Sequence, residues 1–336
     1  MDNDFLNYQL SIVLYPLDPK VSVLVPTYKP NARFLREAMD SLLRQSEQDF
    51  ACVICDEPTE VNTRAILTPY LSDPRFEFHP NETCLGIGGN WNRAQGFADA
   101  PIIAYLFQDD LWGPNYLKSG LTIFEKNPSV GFVSLGHDYF ATGDVPTMPL
   151  YESLKTFVKE NITPGLHRGS EMLRWWIQHE LSPNIIGEPP FTIIRSEVMS
   201  EVGPWNEKLP QFLDVEYWLR CLMVTDWYYL PENLGSFRVH AAGASAQNEA
   251  SGAGIFDRLQ CFEMLISKLE GDLKTAAIDA RSRALVTMAK KYLKRKEEGK
   301  GIGGANKGKI LRFCLRHPLL VGTSLVRAMG GEEEKT

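Results

Sequence analysis

Apolar and polar positions fall into alternating blocks along the first half of the chain. Val21 to Pro26 (VSVLVP) is a short β-branched run stopped by proline, the pattern of a strand buried on both faces. Asn31 to Arg44 then carries Phe34, Leu35, Ala38, Leu42 and Leu43 at helical spacing. Phe50 to Cys55 (FACVIC) predicts a second strand, followed by polar turn residues and a helical stretch ending near Leu71. Arg75 to His79 predicts a third strand. Asn90 to Ala98 predicts a helix capped by Asn90, and Ile102 to Phe107 (IIAYLF) a fourth strand that runs straight into acids. Strands alternating with helices predict an α/β fold, with a mostly parallel sheet flanked by helices. Sheets of this kind bind ligands beyond the carboxyl ends of their strands. Those positions hold Thr27 and Tyr28, Asp56 and Glu57, and Asp109 and Asp110.

The second half is more mixed. A strand returns around Gly131 to Leu135, and Tyr151 to Ile162 reads as a mobile surface segment. Glu171 to His179 predicts a helix with Trp175 and Trp176 on its aromatic face. Phe191 to Arg195 predicts a strand leading into the helix Ser196 to Val202. From Ser251 onward the pattern is helical until a Lys/Gly-rich break at Lys294 to Lys309, after which Ile310 to Met329 alternates apolar and basic residues. There is no internal repeat.

At 336 residues the chain can bury a substantial core, and 44% hydrophobic with 23% charged residues is ordinary soluble usage. A net charge of -7 disfavours a nucleic-acid partner, which needs Lys and Arg clustered on a face. Six scattered cysteines make no disulfide framework, and Cys52 and Cys55 lack a second ligand pair for zinc, so reduced thiols in a cytoplasm are expected. The acidic, polar amino terminus and the short apolar stretch Leu10 to Leu14 predict no secretion signal. No apolar run is long enough to span a bilayer.

Four segments carry candidate chemistry. The first is Gln108-Asp109-Asp110 at the end of a buried strand. Adjacent carboxylates there repel each other and lose hydration unless a cation or hydrogen-bond donors compensate. Magnesium or manganese would do so while also taking phosphate oxygens, and a turn with a helix cap is the plainer alternative. The second is CLGIGGNWNRA, Cys84 to Ala94. It lacks the third glycine of a dinucleotide fingerprint and the Gly-Lys-Ser/Thr of a P-loop, so it is either a flexible turn or a loop that lets a nucleotide-sugar lie close to the backbone. The third is FLDVEYWLR, Phe212 to Arg220. Helical spacing puts Asp214 and Trp218 on one face and turns Glu216 elsewhere, and Asp214 serves equally as a catalytic acid or as a helix cap. The fourth is SFRVHAAGAS, Ser236 to Ser245, where Arg238 and His240 alternate to one side of a strand and could meet phosphate or metal.

Taken in order, these segments resemble family 2 of the nucleotide-sugar-dependent glycosyltransferases, which have the A-type glycosyltransferase fold. The likeness runs from about Val21 to Ser245 and rests on VSVLVPTYKPNARFLREAMDSLLRQS, VICDEPT, GIGGNWNRAQG, FQDDLWGPNYL, FTIIRSEVMSEVGPWNEKL, FLDVEYWLR and FRVHAAGAS. It implies a catalytic domain over 21–248, with a nucleotide-sugar half (21–135) and an acceptor half (136–248). An amino-terminal extension (1–20) and a carboxyl-terminal helical region (249–336) flank it. The family pattern places Pro26, Thr27, Tyr28, Asp56, Gly86 and Asn92 on the donor. It adds Asp109, Glu216, Trp218 and Arg238 as substrate contacts, and Asp109, Asp110 and His240 as ligands of manganese or magnesium. Asp214 lines up with the catalytic base of an inverting displacement onto a hydroxyl acceptor, and UDP is the default carrier. Phe107 stands where many relatives carry another acid, and Glu57-Pro58 replaces the more usual Asp-Gly. A nucleotidyltransferase would also use a strand-end acid pair, but its glycine-rich loop and basic residue are absent from VPTYKPN. A non-catalytic sugar-binding module would not need Asp56, Asp109, Asp110 and Asp214.

The carboxyl-terminal stretch carries Lys307, Lys309, Arg312, Arg316 and Arg327 among leucines. Peripheral contact with an anionic membrane would suit it. Packing on the domain or on a second subunit of a homo-oligomer would suit it as well, since Pro318 interrupts the helix.

Overall fold

The computed structural model describes residues 18–299 and 304–329, apart from 144, 146–147, 241–242, 245–246, 249–253 and 255. Most of the expected amino-terminal extension lies outside the described residues. The first half alternates strand and helix: β1 (Val21–Thr27), α1 (Ala32–Leu43), β2 (Phe50–Asp56), α2 (Thr63–Leu67), β3 (Phe76–Pro80), α3 (Gly86–Gln95) and β4 (Ile102–Tyr105). Asn31 caps α1 by accepting the N–H groups of Arg33 and Phe34. The second half holds β5 (Leu111–Trp112), α4 (Tyr116–Lys126), β6 (Val130–Leu135), β7 (Asp138–Ala141), α5 (Met148–Asn161) and β8 (Gly165–His167). It continues with α6 (Gly169–Gln178), β9 (Thr192–Arg195), α7 (Ser196–Val202), α8 (Leu213–Val224), β10 (Asp226–Leu230) and β11 (Gly235–Val239).

The main sheet has the order β3-β2-β1-β4-β9-β6-β10-β8. Strands β1, β2, β3 and β4 run parallel, as do β6 and β10, while β9 lies antiparallel between β4 and β6. Both faces are covered, which is why the strands read as continuous apolar runs. Val21, Val23, Val25, Cys52 and Ile54 enter one core layer, and Leu24, Val53 and Cys55 the other. Cys261, Phe262 and Ala277, from the helices Asp257–Lys268 and Gly271–Glu297, join that second layer, so the carboxyl-terminal helices pack on the sheet. A second, small sheet, β5-β11-β7, forms beyond the carboxyl end of β4.

Three local expectations are corrected. The helix expected from Asn90 begins at Gly86, so Asn90 is an interior, buried residue and caps nothing. The segment expected to be mobile is the helix α5, which buries no residue fully. The Lys/Gly-rich break is shorter than expected, since one helix runs on to Glu297 and the next begins at Gly304.

Gly169 opens α6, where its N–H donates to Asp226 Oδ1 at 3.0 Å. A Cβ at this position would lie 2.1 Å from the Thr225 carbonyl oxygen and 2.6 Å from that of Leu222. Both are backbone atoms with no side-chain torsion to relieve the clash. Gly169→Ala is therefore expected to destabilise the fold by about 1–3 kcal/mol, read as a lower urea midpoint at unchanged slope. An unaltered midpoint would contradict this close approach.

Candidate active site

The ends of β1 and β2 are tied together by side chains. Thr27 Oγ1 donates to Asp56 Oδ1 at 2.7 Å. The Asn90 amide donates to the carbonyls of Thr27 (3.3 Å) and Cys55 (3.1 Å) and accepts from Asn81 Nδ2 at 2.9 Å. One asparagine thus ties two strand-end carbonyls to α3. The Glu57 carboxylate accepts the Leu85 N–H at 2.9–3.0 Å, anchoring the loop to Gly86, whose φ of +75° is a conformation glycine tolerates. Burial pushes the Asp56 carboxyl above its ordinary range, against the hydrogen bond from Thr27. Tyr28 stands exposed, its N–H donating to Gln108 Oε1 at 2.8 Å and its carbonyl accepting Gln108 Nε2 at 3.0 Å. Gln108 therefore joins the tip of β1 to the acids that follow it. Pro26 is buried within β1, opposite Cys55.

The acid pair is held from the other side by β11. Residues Gly235 and Ser236 pair with Trp112 and Leu111, directly after the acids. Asp110 is 1% exposed; its Oδ1 accepts the Arg238 N–H at 2.9 Å, and its Oδ2 has no partner. Burial and then the charge of Asp109 push its carboxyl well above the usual range. Asp109 Oδ2 lies 2.7 Å from His240 Nε2. The Arg238 side chain is engaged within the protein. Its guanidinium donates to the Asp109 carbonyl (2.8 Å), to Glu37 (2.5 Å) and to Thr142 Oγ1 (3.4 Å), and it is clamped between the rings of Phe34 and Phe140. Arg238 thus holds the acid turn in place.

Among the described residues, no three His, Cys, Asp or Glu side chains converge closely enough to hold a metal unaided. A site for magnesium or manganese does not need such a set, because these ions take one or two carboxylates and complete their shell with water and phosphate oxygens. The unpartnered Asp110 Oδ2, with Asp109 and His240 beside it, fits that requirement.

Asp214 sits in the first turn of α8 and is not the cap, a position taken by Phe212. Its Oδ1 accepts the Val215 N–H at 2.8 Å and its Oδ2 accepts Asn184 Nδ2 at 2.9 Å. Burial, outweighing these donors and reinforced by the charge of Glu188, pushes its carboxyl up to about 7. The same helix carries two further expected substrate contacts, Glu216 and Trp218. The Glu216 carboxylate is 4% exposed and is engaged by Arg220 at 2.9–3.0 Å, while that arginine also donates to the carbonyls of Val202 and Pro204. Trp218 is 1% exposed, stacks on Phe132 and donates to the Gly187 carbonyl at 3.0 Å. Both side chains support the helix and the loop beside it. Asn92 likewise clasps another loop, exchanging bonds with the Trp205 backbone (2.8 and 3.1 Å) and donating to Glu207 at 2.9 Å.

One acid escaped the sequence reading. Glu188 precedes β9, accepts the Tyr139 hydroxyl at 3.3 Å on both oxygens and lies 3.2 Å from His137 Nε2. Its charge acts on both Asp110 and Asp214, so it lies within electrostatic reach of the acid pair and of α8. It does not follow a parallel strand, because β9 runs backwards and presents its amino end there. The available signal was the acid in Gly187-Glu188-Pro189-Pro190, next to an apolar strand.

Residues 22–174 match the family described as Glycosyl transferase family 2. The chain is 30% identical over 110 residues to the UDP-Glc:alpha-D-GlcNAc-diphosphoundecaprenol beta-1,3-glucosyltransferase WfgD of Escherichia coli, a match spanning 33% of this chain and 43% of that enzyme. In fold it is similar to S. aureus TarS 1-349 in complex with UDP-GlcNAc, with a TM-score of 0.59 at 16% identity, over 93% of this chain and 80% of that one. It is also similar to the mannosyltransferase PcManGT from Pyrobaculum calidifontis, in complex with GDP-Man and Mn2+, with a TM-score of 0.56 at 18% identity over 94% and 87%. With the strand order and the acid turn, these likenesses converge: residues 22–174 resemble glycosyltransferase family 2, and the chain has the A-type glycosyltransferase fold.

Proposed function

We propose that this glycosyltransferase moves a sugar from a nucleoside-diphosphate-sugar, UDP by default, onto an acceptor hydroxyl with inversion, using Asp214 as general base. The observation that carries the reading is the state of Asp214. It is a half-buried carboxyl, held by Asn184 and Val215 N–H and poised to titrate at about 7, where a base is most effective. An inverting displacement needs one such carboxylate on the acceptor side and charge stabilisation on the leaving-group side. The nucleoside would lie along Thr27, exposed Tyr28 and Asp56, with the Gly86 turn allowing close approach of the backbone. Asp109, Asp110 and His240 would hold a manganese or magnesium ion against the diphosphate, where its charge offsets that of the departing nucleotide. Support for these finer points comes from the neighbours. PcManGT was seen with GDP-Man and Mn2+, TarS with UDP-GlcNAc, and WfgD is named for UDP-Glc and alpha-D-GlcNAc-diphosphoundecaprenol.

In this reading Glu188 is a positioning residue. Its carboxylate, fixed by Tyr139 and facing His137, raises the proton affinity of Asp214 through its charge. Asp214 in turn is kept from swinging by the Asn184–Gly187 loop, whose amide and carbonyl bond each other at 3.1–3.2 Å.

Asp214→Asn is expected to keep nucleotide-sugar binding while turnover falls at least about a hundredfold, measured by release of nucleoside diphosphate. Preserved transfer would remove Asp214 from the base role. For the wild type, kcat/KM should rise with pH and level off above about 7, because only the deprotonated carboxylate accepts the hydroxyl proton. The stability effect has the opposite sign. A carboxyl whose folded-state proton affinity is raised loses stability as pH climbs from the ordinary Asp range through about 7. Asp214→Asn should therefore melt no lower than wild type at pH 8, and a clear drop there would contradict the cost of burying this charge.

UDP should raise the melting temperature in manganese, and the gain should vanish with EDTA or in Asp109→Asn. A UDP shift indifferent to both treatments would rule out the metal-bridged diphosphate.

A further inference from the structure

We propose that the outer face of the two last described helices, Gly304–Arg316 and Pro318–Met329, docks on an anionic lipid surface. The inner face of this pair is already provided for. Phe313, Leu320 and Val321 pack with Leu259, Leu285 and Met288 against the body of the protein, and Pro318–Met329 lies along Gly271–Glu297. A helix pair that only closed the fold would be polar on its other side. Instead Leu311, Leu315, Leu319 and Val326 face outward at 62%, 74%, 85% and 66% exposure. Leu315 and Leu319 are the two most exposed large apolar side chains among the described residues. Leu311 and Leu315 stand one turn apart on the first helix, and Leu319 and Val326 two turns apart on the second, so each helix presents an apolar stripe.

Charge decides what the stripe would meet. The chain carries seven more acids than Lys and Arg, yet no Asp or Glu occurs from Gly299 to Gly331, where Lys300, Lys307, Lys309, Arg312, Arg316 and Arg327 fall. Arg312 and Arg316 are exposed beside the leucines. Apolar side chains flanked by cations match a bilayer interface, where leucines enter the acyl boundary and arginines meet lipid phosphates. Two copies meeting through this face would set like charges against each other. No helix among the described residues is long and apolar enough to cross a membrane, so the contact would lie on the surface. Such docking would bring the enzyme to acceptors carried on lipid, although the binding itself does not depend on the catalytic reading and is measured without substrate.

The test is flotation of the full chain with vesicles of phosphatidylcholine, with and without phosphatidylglycerol. The protein should float only with the anionic lipid and be released by high salt. The variants Leu311→Ser/Leu315→Ser/Leu319→Ser and Arg312→Gln/Arg316→Gln should each bind at least about tenfold more weakly, with unchanged melting temperature and unchanged sugar transfer to a soluble acceptor. Failure to float with phosphatidylglycerol, or equal flotation of the variants, would overturn the proposal. So would a concentration-dependent dimer in gel filtration that the leucine variant abolishes, because the face would then meet a second copy.

Discussion

Several carboxylates gathered at one edge of a sheet must each be kept from repelling the others, and much of the local architecture answers that constraint. Asp56 is met by Thr27, Asp109 by His240, Asp110 by the backbone of Arg238, Asp214 by Asn184 and Glu188 by Tyr139. What these partners leave over is specific. Asp110 keeps one buried oxygen without a donor, and Asp214 keeps a proton affinity near neutrality. An unmet oxygen beside a second carboxylate is costly in the protein alone and favourable once a cation arrives. A base half-ionised near neutral pH is costly to bury and useful for taking a proton.

The small sheet and the reversed strand serve this edge. Strand β11 returns more than a hundred residues after the acid turn and pairs with β5, immediately beyond it, so Arg238 and His240 arrive beside Asp109 and Asp110. Strand β9 runs antiparallel to β4 and β6, with Thr192 opposite Ser134 and Ile193 opposite Ala104, so the short segment that leads into it lies where its neighbours end. Glu188 thereby joins the acids that follow parallel strands. A doubly wound sheet without this reversal would place that carboxylate at the opposite edge.

Helix α8 shows how one short motif is divided between chemistry and support. Asp214 and Glu216 are two residues apart, about 200° around the axis, so they cannot face the same side. The first bonds to the loop that leads to Glu188, and the second is drawn into the layer holding Arg220 and the carbonyls of Val202 and Pro204. The pair Glu216–Arg220 is internally compensated, which makes it a brace for the loop before Trp205.

Local pattern alone determined the first half of the sheet, because buried parallel strands need unbroken apolar runs and their ends need polar residues. It also singled out Asp56, the Asp109–Asp110 pair and Asp214, which stand at strand or helix ends where a side chain must find a partner or a ligand. It did not determine the direction of β9, since a four-residue apolar strand reads alike both ways, and Glu188 was lost with that direction. Nor did it determine what Asn90, Asn92, Glu216, Trp218 and Arg238 touch, because a polar side chain is satisfied by whichever group the fold brings near. Those partners, from strand-end carbonyls to Arg220, come from segments up to some two hundred residues away, as with Arg238 and Glu37. Only tertiary packing supplies neighbours at that distance.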